Sequence, residues 1–199
     1  MTVTELIERA EYLVEERYDN DIWYNFIDDV LHDLTPAAKV VAETTDNTTI
    51  TDEEATITLT DVHEVINVSF KPTDGRKHVL RKLSSYDTVS TGYIRENNAV
   101  RLQGIPWSAG TTYITYYAML ERTASGDDFT INLPEQYHDV LLRGVCAKAM
   151  QKEEDADRKQ DFYGEYLLGK HKMLAERTYE VEPWNAQIAN AIRFGSDFK

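Results

Sequence analysis

Apolar residues recur at three- and four-residue steps toward both ends of the chain and at two-residue steps in its middle. Near the start, Leu6, Ile7, Ala10, Leu13 and Val14 share one helical face, while Glu5, Glu8, Glu11, Glu15 and Glu16 lie off it. Thr2 and Glu5 have the spacing of a capping box, in which hydroxyl and carboxylate each take a backbone N–H of the first turn. Tyr18-Asp19-Asn20-Asp21 breaks the pattern and supplies a new cap. Ile22, Trp23, Phe26, Ile27, Val30, Leu31 and Leu34 then form the cleanest amphipathic helix of the chain. Thr35-Pro36 is expected to end it, because a proline ring crowds the preceding residue out of the helical region.

From residue 37 to about residue 123 the period is two. Lys39-Val40-Val41-Ala42-Glu43, Thr56-Ile57-Thr58-Leu59-Thr60 and Glu64-Val65-Ile66-Asn67-Val68-Ser69-Phe70 read as strands. Pro72-Thr73-Asp74-Gly75 is a turn, and residues 77–83 return as a strand. Residues 92–95 and 99–102 flank Glu96-Asn97-Asn98 as a hairpin, and Trp107-Ser108-Ala109-Gly110 makes another turn. Residues 111–119 form the longest strand. The expected product is a small sandwich or open barrel of antiparallel hairpins. Thr123-Ala124-Ser125-Gly126-Asp127-Asp128 reads as a loop back to helix.

Residues 133–179 return to helical spacing. Pro134 suits a helix start, where its missing N–H would be unpaired anyway. Tyr137, Val140, Leu141, Val145 and Ala149 share one face. Polar residues 151–160 make a turn that Asp155 or Asp157 can cap, and Phe162, Tyr163, Tyr166, Leu167 and Leu174 rebuild a stripe. Gly144, Gly164 and Gly169 interrupt these helices, which reflects either close helix approach or tolerance on a surface. The fold class is therefore α+β. An antiparallel helical bundle comes from residues 1–36 and 124–179, with a β-rich insertion at 37–123. Trp23, Phe26, Tyr137, Leu141 and Tyr166 are the expected helix-packing residues. Residues 180–199 carry Trp184, Ile188, Ile192 and Phe194 but too few apolar positions to fold alone. They read as an extended C-terminal docking arm or as a tail folded back on its own core.

Charge sharpens this picture. The net charge of −14 over 199 residues is concentrated in residues 1–61, with sixteen acids against Arg9, Arg17 and Lys39. Such a segment repels phosphates and argues against ordinary DNA binding. It reads as a solvated surface, or as a face that meets a basic partner or borders a DNA passage. Residues 71–101 are the reverse, seven Lys or Arg against three acids. There the cations touch an acidic neighbour or phosphate, or they blunt an exposed sheet edge; Tyr86 and Tyr93 are the only aromatics available there for base stacking. No apolar run nears the ~20 residues of a membrane span. The acidic start lacks the basic and apolar regions of a signal peptide, so no membrane partner is expected.

Candidate chemistry is sparse. The nine glycines form no phosphate-binding loop, and the five histidines lie in separate elements. The single cysteine, Cys146, sits between Val145 and Ala147 and reads as a small core residue. No catalytic residue, metal ligand or cofactor is nominated. Thirty-five acids always allow a two-carboxylate hydrolase to be argued, and no pair stands out.

The order of elements, the YITYYAM strand at 113–119, the segment LPEQYHDVLLRGVCAKAM at 133–150 and the acidic Glu153-Glu154-Asp155 turn before Phe162, Tyr163 and Tyr166 carry a resemblance. Together they resemble the head-to-tail connector (adaptor, head-completion) proteins of tailed bacteriophages. The resemblance is strongest over 92–178, and residues 37–90 are longer than in the smallest members. It implies a non-enzymatic virion protein of the neck, made in the host cytoplasm. It further implies a homo-oligomeric, dodecameric ring docked on the portal protein through Trp184, Ile188, Ile192 and Phe194. The ring would meet the next tail or neck protein and pass DNA without specific binding. Other readings are a different neck or tail-completion module and, last, the hydrolase. The short tail is expected to order on binding, giving a monomer in solution that forms a ring on the portal.

Overall fold

The computed structural model describes residues 1–84, 90–125 and 128–194, with the side chains of 124–125 and 177–194 outside the description. In chain order the elements are α1 (Val3–Val14), α2 (Asn20–Ala38), β1 (Val41–Thr49), β2 (Ala55–Thr58), β3 (Val62–Pro72), β4 (His78–Leu80), β5 (Gly92–Glu96), β6 (Ala99–Gln103), β7 (Ala109–Ala118), β8 (Arg122–Ser125), β9 (Asp128–Ile131), α3 (His138–Lys152) and α4 (Ala156–Phe194). The fold is mixed α+β, with antiparallel sheets. It divides into a helical unit, Met1–Lys39 with Leu120–Lys199, and a β unit, Val40–Met119.

In the helical unit, α1 starts at the complete Thr2–Glu5 capping box and buries Val3, Leu6, Ile7, Ala10 and Val14. Each large aliphatic side chain so buried contributes about 1.5–3 kcal/mol. The helix stops where Glu15 turns left-handed and its N–H bonds the Glu11 carbonyl at 2.9 Å. Asp19 sits at the N-cap of α2, but its side chain makes no capping hydrogen bond. The apolar face Trp23, Ile27, Val30, Leu31 and Leu34 is buried as the periodicity requires.

Helix α2 does not end at Thr35-Pro36. It runs on to Ala38 and is capped by a left-handed Lys39. Pro36 offers no N–H to the carbonyl four residues back. Thr35 offsets this disturbance, since its hydroxyl donates to the Leu31 carbonyl at 3.0 Å and accepts the Leu120 N–H at 3.1 Å. Burial of Ala37 and Ala38 adds to the gain, so packing outweighs the pre-proline preference.

Residues 122–125 and 128–131, which overlap the loop expected at 123–128, pair as the β8–β9 hairpin, and a bridge from Thr130 ties it to Thr2. Gly126 and Asp127 of that expected loop lie outside the described residues. Pro134 precedes a single 3-10 turn, Glu135–Tyr137, before α3 proper begins. At the next turn Asp155 caps α4 by accepting the Arg158 N–H at 3.0 Å. The backbone of α4 continues to Phe194, beyond residue 179 where the apolar periodicity stops. Within the unit α3 packs on α1, α2 and α4, and α2 packs on α4.

The β unit is two antiparallel sheets on one core. The four-stranded sheet has the order β1-β7-β3-β4 and the three-stranded sheet β2-β6-β5. Val68, Phe70 and Ile114 from the first meet Ile57, Val100 and Leu102 from the second. Strands β5 and β6 join through Asn97-Asn98, and Asn97 takes the positive φ that a two-residue hairpin requires. Strand β1 is longer than its expected five residues and β4 shorter than its expected seven. The unit closes on itself: the Ala118 N–H bonds the Val40 carbonyl at 2.8 Å, so the two ends of the insertion lie side by side.

Candidate functional site

The helical unit holds the segments that the resemblance makes functional, and its interior is organised by a glycine. A Cβ at Gly144 would lie 2.6 Å from Val30 Cγ1 and 3.0 Å from the Tyr166 ring. Helix α3 therefore approaches both α2 and α4 more closely than any other residue would permit. Gly169 plays the same part on α4, where a Cβ would meet Val140 Cγ2 at 2.6 Å. Gly164 differs: its own helix backbone aside, no atom of the described residues beyond its chain neighbours lies within 4 Å of the position its Cβ would take.

Around this junction three of the four acids of α2 are claimed one by one. Arg122 grips Asp28 with a two-pronged fork, Nε to Oδ1 at 2.6 Å and Nη2 to Oδ2 at 2.7 Å, and stacks on Tyr24 and Phe129. Lys148 donates to Asp29 at 2.9 Å and Lys170 to Asp33 at 2.7 Å, and the Tyr166 hydroxyl also donates to Asp33. Partial burial pulls the Asp33 carboxyl upward, but the Lys170 and Tyr166 hydrogen bonds outweigh it and leave the group below its ordinary range. Tyr166 is pushed up, by burial first and by the Asp33 carboxylate next. Part of the acidity near the chain start is thus structural and not free for a partner.

A second cluster fixes the loop between α1 and α2. Tyr18 meets Trp23 and Phe26 edge-on at 5.1 and 5.9 Å. Its hydroxyl donates to Glu153 at 2.7 Å, and Lys152 sits 4.2 Å over its ring. Arg158 reaches back to the Leu13 carbonyl at 2.8 Å, tying the start of α4 to the end of α1. The Trp23 indole N–H, wholly buried, has no hydrogen-bond partner among the described residues. Its retention rests on the apolar area of the ring.

Among the expected packing residues, Trp23, Tyr137, Leu141 and Tyr166 are buried and Phe26 is half-buried. On the described part of α4, Tyr166 and Met173 are buried and Phe162 and Gly169 half-buried, whereas Tyr163 and Leu174 are exposed, contrary to the stripe expected from the sequence. Met173 was missed because Gly169 carries no apolar signal to continue the stripe. The expected arm residues Trp184, Ile188, Ile192 and Phe194 lie outside the described side chains, and Tyr86 lies outside the described residues. In the β unit, Lys77, Val79 and Arg76 are exposed on or beside the edge strand β4, with Lys77 over the Tyr113 ring at 4.0 Å. That placement fits edge protection.

Reactive chemistry is thin. Among the described residues no group of three His, Cys, Asp or Glu side chains is placed to hold a metal. Burial pushes the Cys146 thiol up to about 12, which leaves it an unreactive core residue. Among the described residues no helix is long and apolar enough to cross a membrane. What the surface does offer is an open groove of about 980 Å³ between α2, α3 and α4.

The family model of the SU10 adaptor protein matches residues 1–189. No curated protein matches the chain. The chain belongs to the SU10 adaptor protein family, a phage head–tail adaptor family, and is a structural virion component of the head–tail region.

Proposed function

We propose that this SU10 adaptor family member forms a homo-oligomeric, dodecameric ring that docks on the portal protein, joins it to the next neck or tail protein and lets DNA pass without specific binding. The four helices make the body of the ring as a bundle. The β unit faces the tail side. The segment 180–199, with Trp184, Ile188, Ile192 and Phe194, is the arm that reaches the portal. The observation that carries the reading is the family match, which runs over residues 1–189 and so takes in most of both segments that build the helical unit, with Ile192 and Phe194 of the arm beyond it. The acidic bias supports the passage of DNA, because like charge keeps phosphates from sticking. In this role the protein catalyses nothing.

Native mass spectrometry of the purified chain, alone and mixed with portal rings from the same virion, tests the proposal. The expected result is a monomer alone and a complete ring on the portal. A stable small oligomer that ignores the portal overturns it.

A further inference from the structure

Two features of the helical unit are left open among the described residues. One is the groove between α2, α3 and α4, lined by Val30, Gly144, Ala147, Tyr163, Gly164 and Leu167. Gly144 and Gly169 are explained by neighbours that a Cβ would strike, but Gly164 faces open space, and a glycine inside a helix weakens that helix. The other is Tyr12, 84 % exposed on the outward face of α1, with Glu8 and Glu15 beside it and without ion pairs among the described residues. We propose that these features meet between neighbouring copies: α1, led by Tyr12, seats in the groove of the next copy. The inference rests on the ring reading above and names the contact that would close the ring.

Charge and direction select a second copy as the occupant. At the groove's lip Lys159 is half-buried and has no ion pair among the described residues, while Lys148 neutralises Asp29 and Lys170, from outside the lining, neutralises Asp33. An acidic helix with an apolar tip complements that lip, and α1 of this chain is such a helix. The two features also point opposite ways. Helix α1 lies along the His138 and Leu142 face of α3, whereas Gly144, Ala147, Lys148 and Gln151 line the groove. Leu142 and Gly144 stand about 200° apart on a helix of 3.6 residues per turn. Tyr12 in turn points away from Val3, Leu6, Ala10 and Val14, the side of α1 that is buried. A two-fold dimer cannot bury surfaces on opposite sides twice over. The contact is head-to-tail and propagates until it closes.

Cysteine cross-linking on portal-assembled rings tests this, since Cys146 is buried and its raised pKa keeps it silent. With a short bismaleimide, Tyr12→Cys alone and Gly164→Cys alone should give no cross-linked dimer. An equal mixture of the two should give dimers, and the double variant a ladder reaching the full ring. Gly164→Leu, for which the groove has room, should melt no lower than the parent yet assemble roughly tenfold more weakly. Several outcomes overturn the inference. They are dimers from Tyr12→Cys alone, no ladder on rings that native mass spectrometry finds complete, a cross-link from residue 164 to the portal, or unchanged assembly of Gly164→Leu. If complete rings form but the ladder does not, the ring reading stands and this contact alone fails. If the parent forms no ring, both fall.

Discussion

The helical unit is assembled from the two ends of the chain, whereas the β unit is one unbroken stretch whose ends lie side by side. The difference sets what holds each together. Side chains distant in sequence join the helices: Arg122 to Asp28, Tyr166 to Asp33, Arg158 to the Leu13 carbonyl. Backbone ladders join the strands, so the β unit relies less on any one side chain outside its core. Closure of the helical unit also waits for a long loop, an entropic cost that the β unit meets only within its own 40–119.

Core truncation should separate the two units most visibly. Trp23 and Phe70 are both wholly buried, one in each unit. Trp23→Ala and Phe70→Ala should each cost about 3–5 kcal/mol. In calorimetry each should lower its own transition and leave the other in place. A single transition that both variants shift together would show that the units unfold as one.

Glycine substitution sharpens the contrast at a smaller scale. A Cβ at Gly110 would lie 2.4 Å from the Lys71 carbonyl oxygen, a backbone atom of the β3–β7 ladder. At Gly144 the obstacle is the methyl of Val30, a side chain. Gly110→Ala should therefore cost up to about 3 kcal/mol and Gly144→Ala less, nearer about 1 kcal/mol, because a side chain yields where a paired backbone cannot. Equal losses in denaturant melts would contradict the assignment of backbone and side-chain control.

The same contrast explains what could be read from the sequence. Helix α1 was legible to its cap because Thr2, Glu5 and the apolar face are local signals. The strands were legible in phase but not in length, since β1 is extended by pairing with β7 along its whole length. The β8–β9 hairpin was not legible. Phe129 is its one aromatic, and the pair is held by Arg122 on Asp28 and by the Thr2 bridge, which no local pattern encodes. The stripe of α4 was read one residue out at Met173 for a similar reason. The groove was invisible, because which of three glycines is packed and which is open depends on neighbours far off in sequence.

Thr35 gives a more local probe. Thr35→Val keeps the shape but removes the hydroxyl that serves the Leu31 carbonyl and the Leu120 N–H. A buried donor left unpaired costs about 1–2 kcal/mol. The helical transition should fall by that much with the β transition unmoved, and hydrogen exchange at Leu120 should quicken. If exchange there is unchanged, another acceptor has taken the N–H.

The smallest effect is the dependence on pH, and it has opposite signs at the two extremes. Asp33 is held below its ordinary value, so its contribution is present above the unfolded value of about 4 and is lost as pH falls through the folded one. Tyr166 is pushed up, so its contribution is complete below about 10 and is lost as pH rises beyond that. Half of the Asp33 carboxylate is exposed, and an exposed pair contributes only about 0–1 kcal/mol. Asp33→Asn should thus flatten the acid limb of the helical transition slightly. Tyr166→Phe should flatten its alkaline limb. In the β unit, burial and Glu64 push Tyr93 up in the same direction as Tyr166. An acid limb in the β transition that Asp33→Asn also flattens would mean that the two units unfold in a coupled way and that α2 carries the coupling.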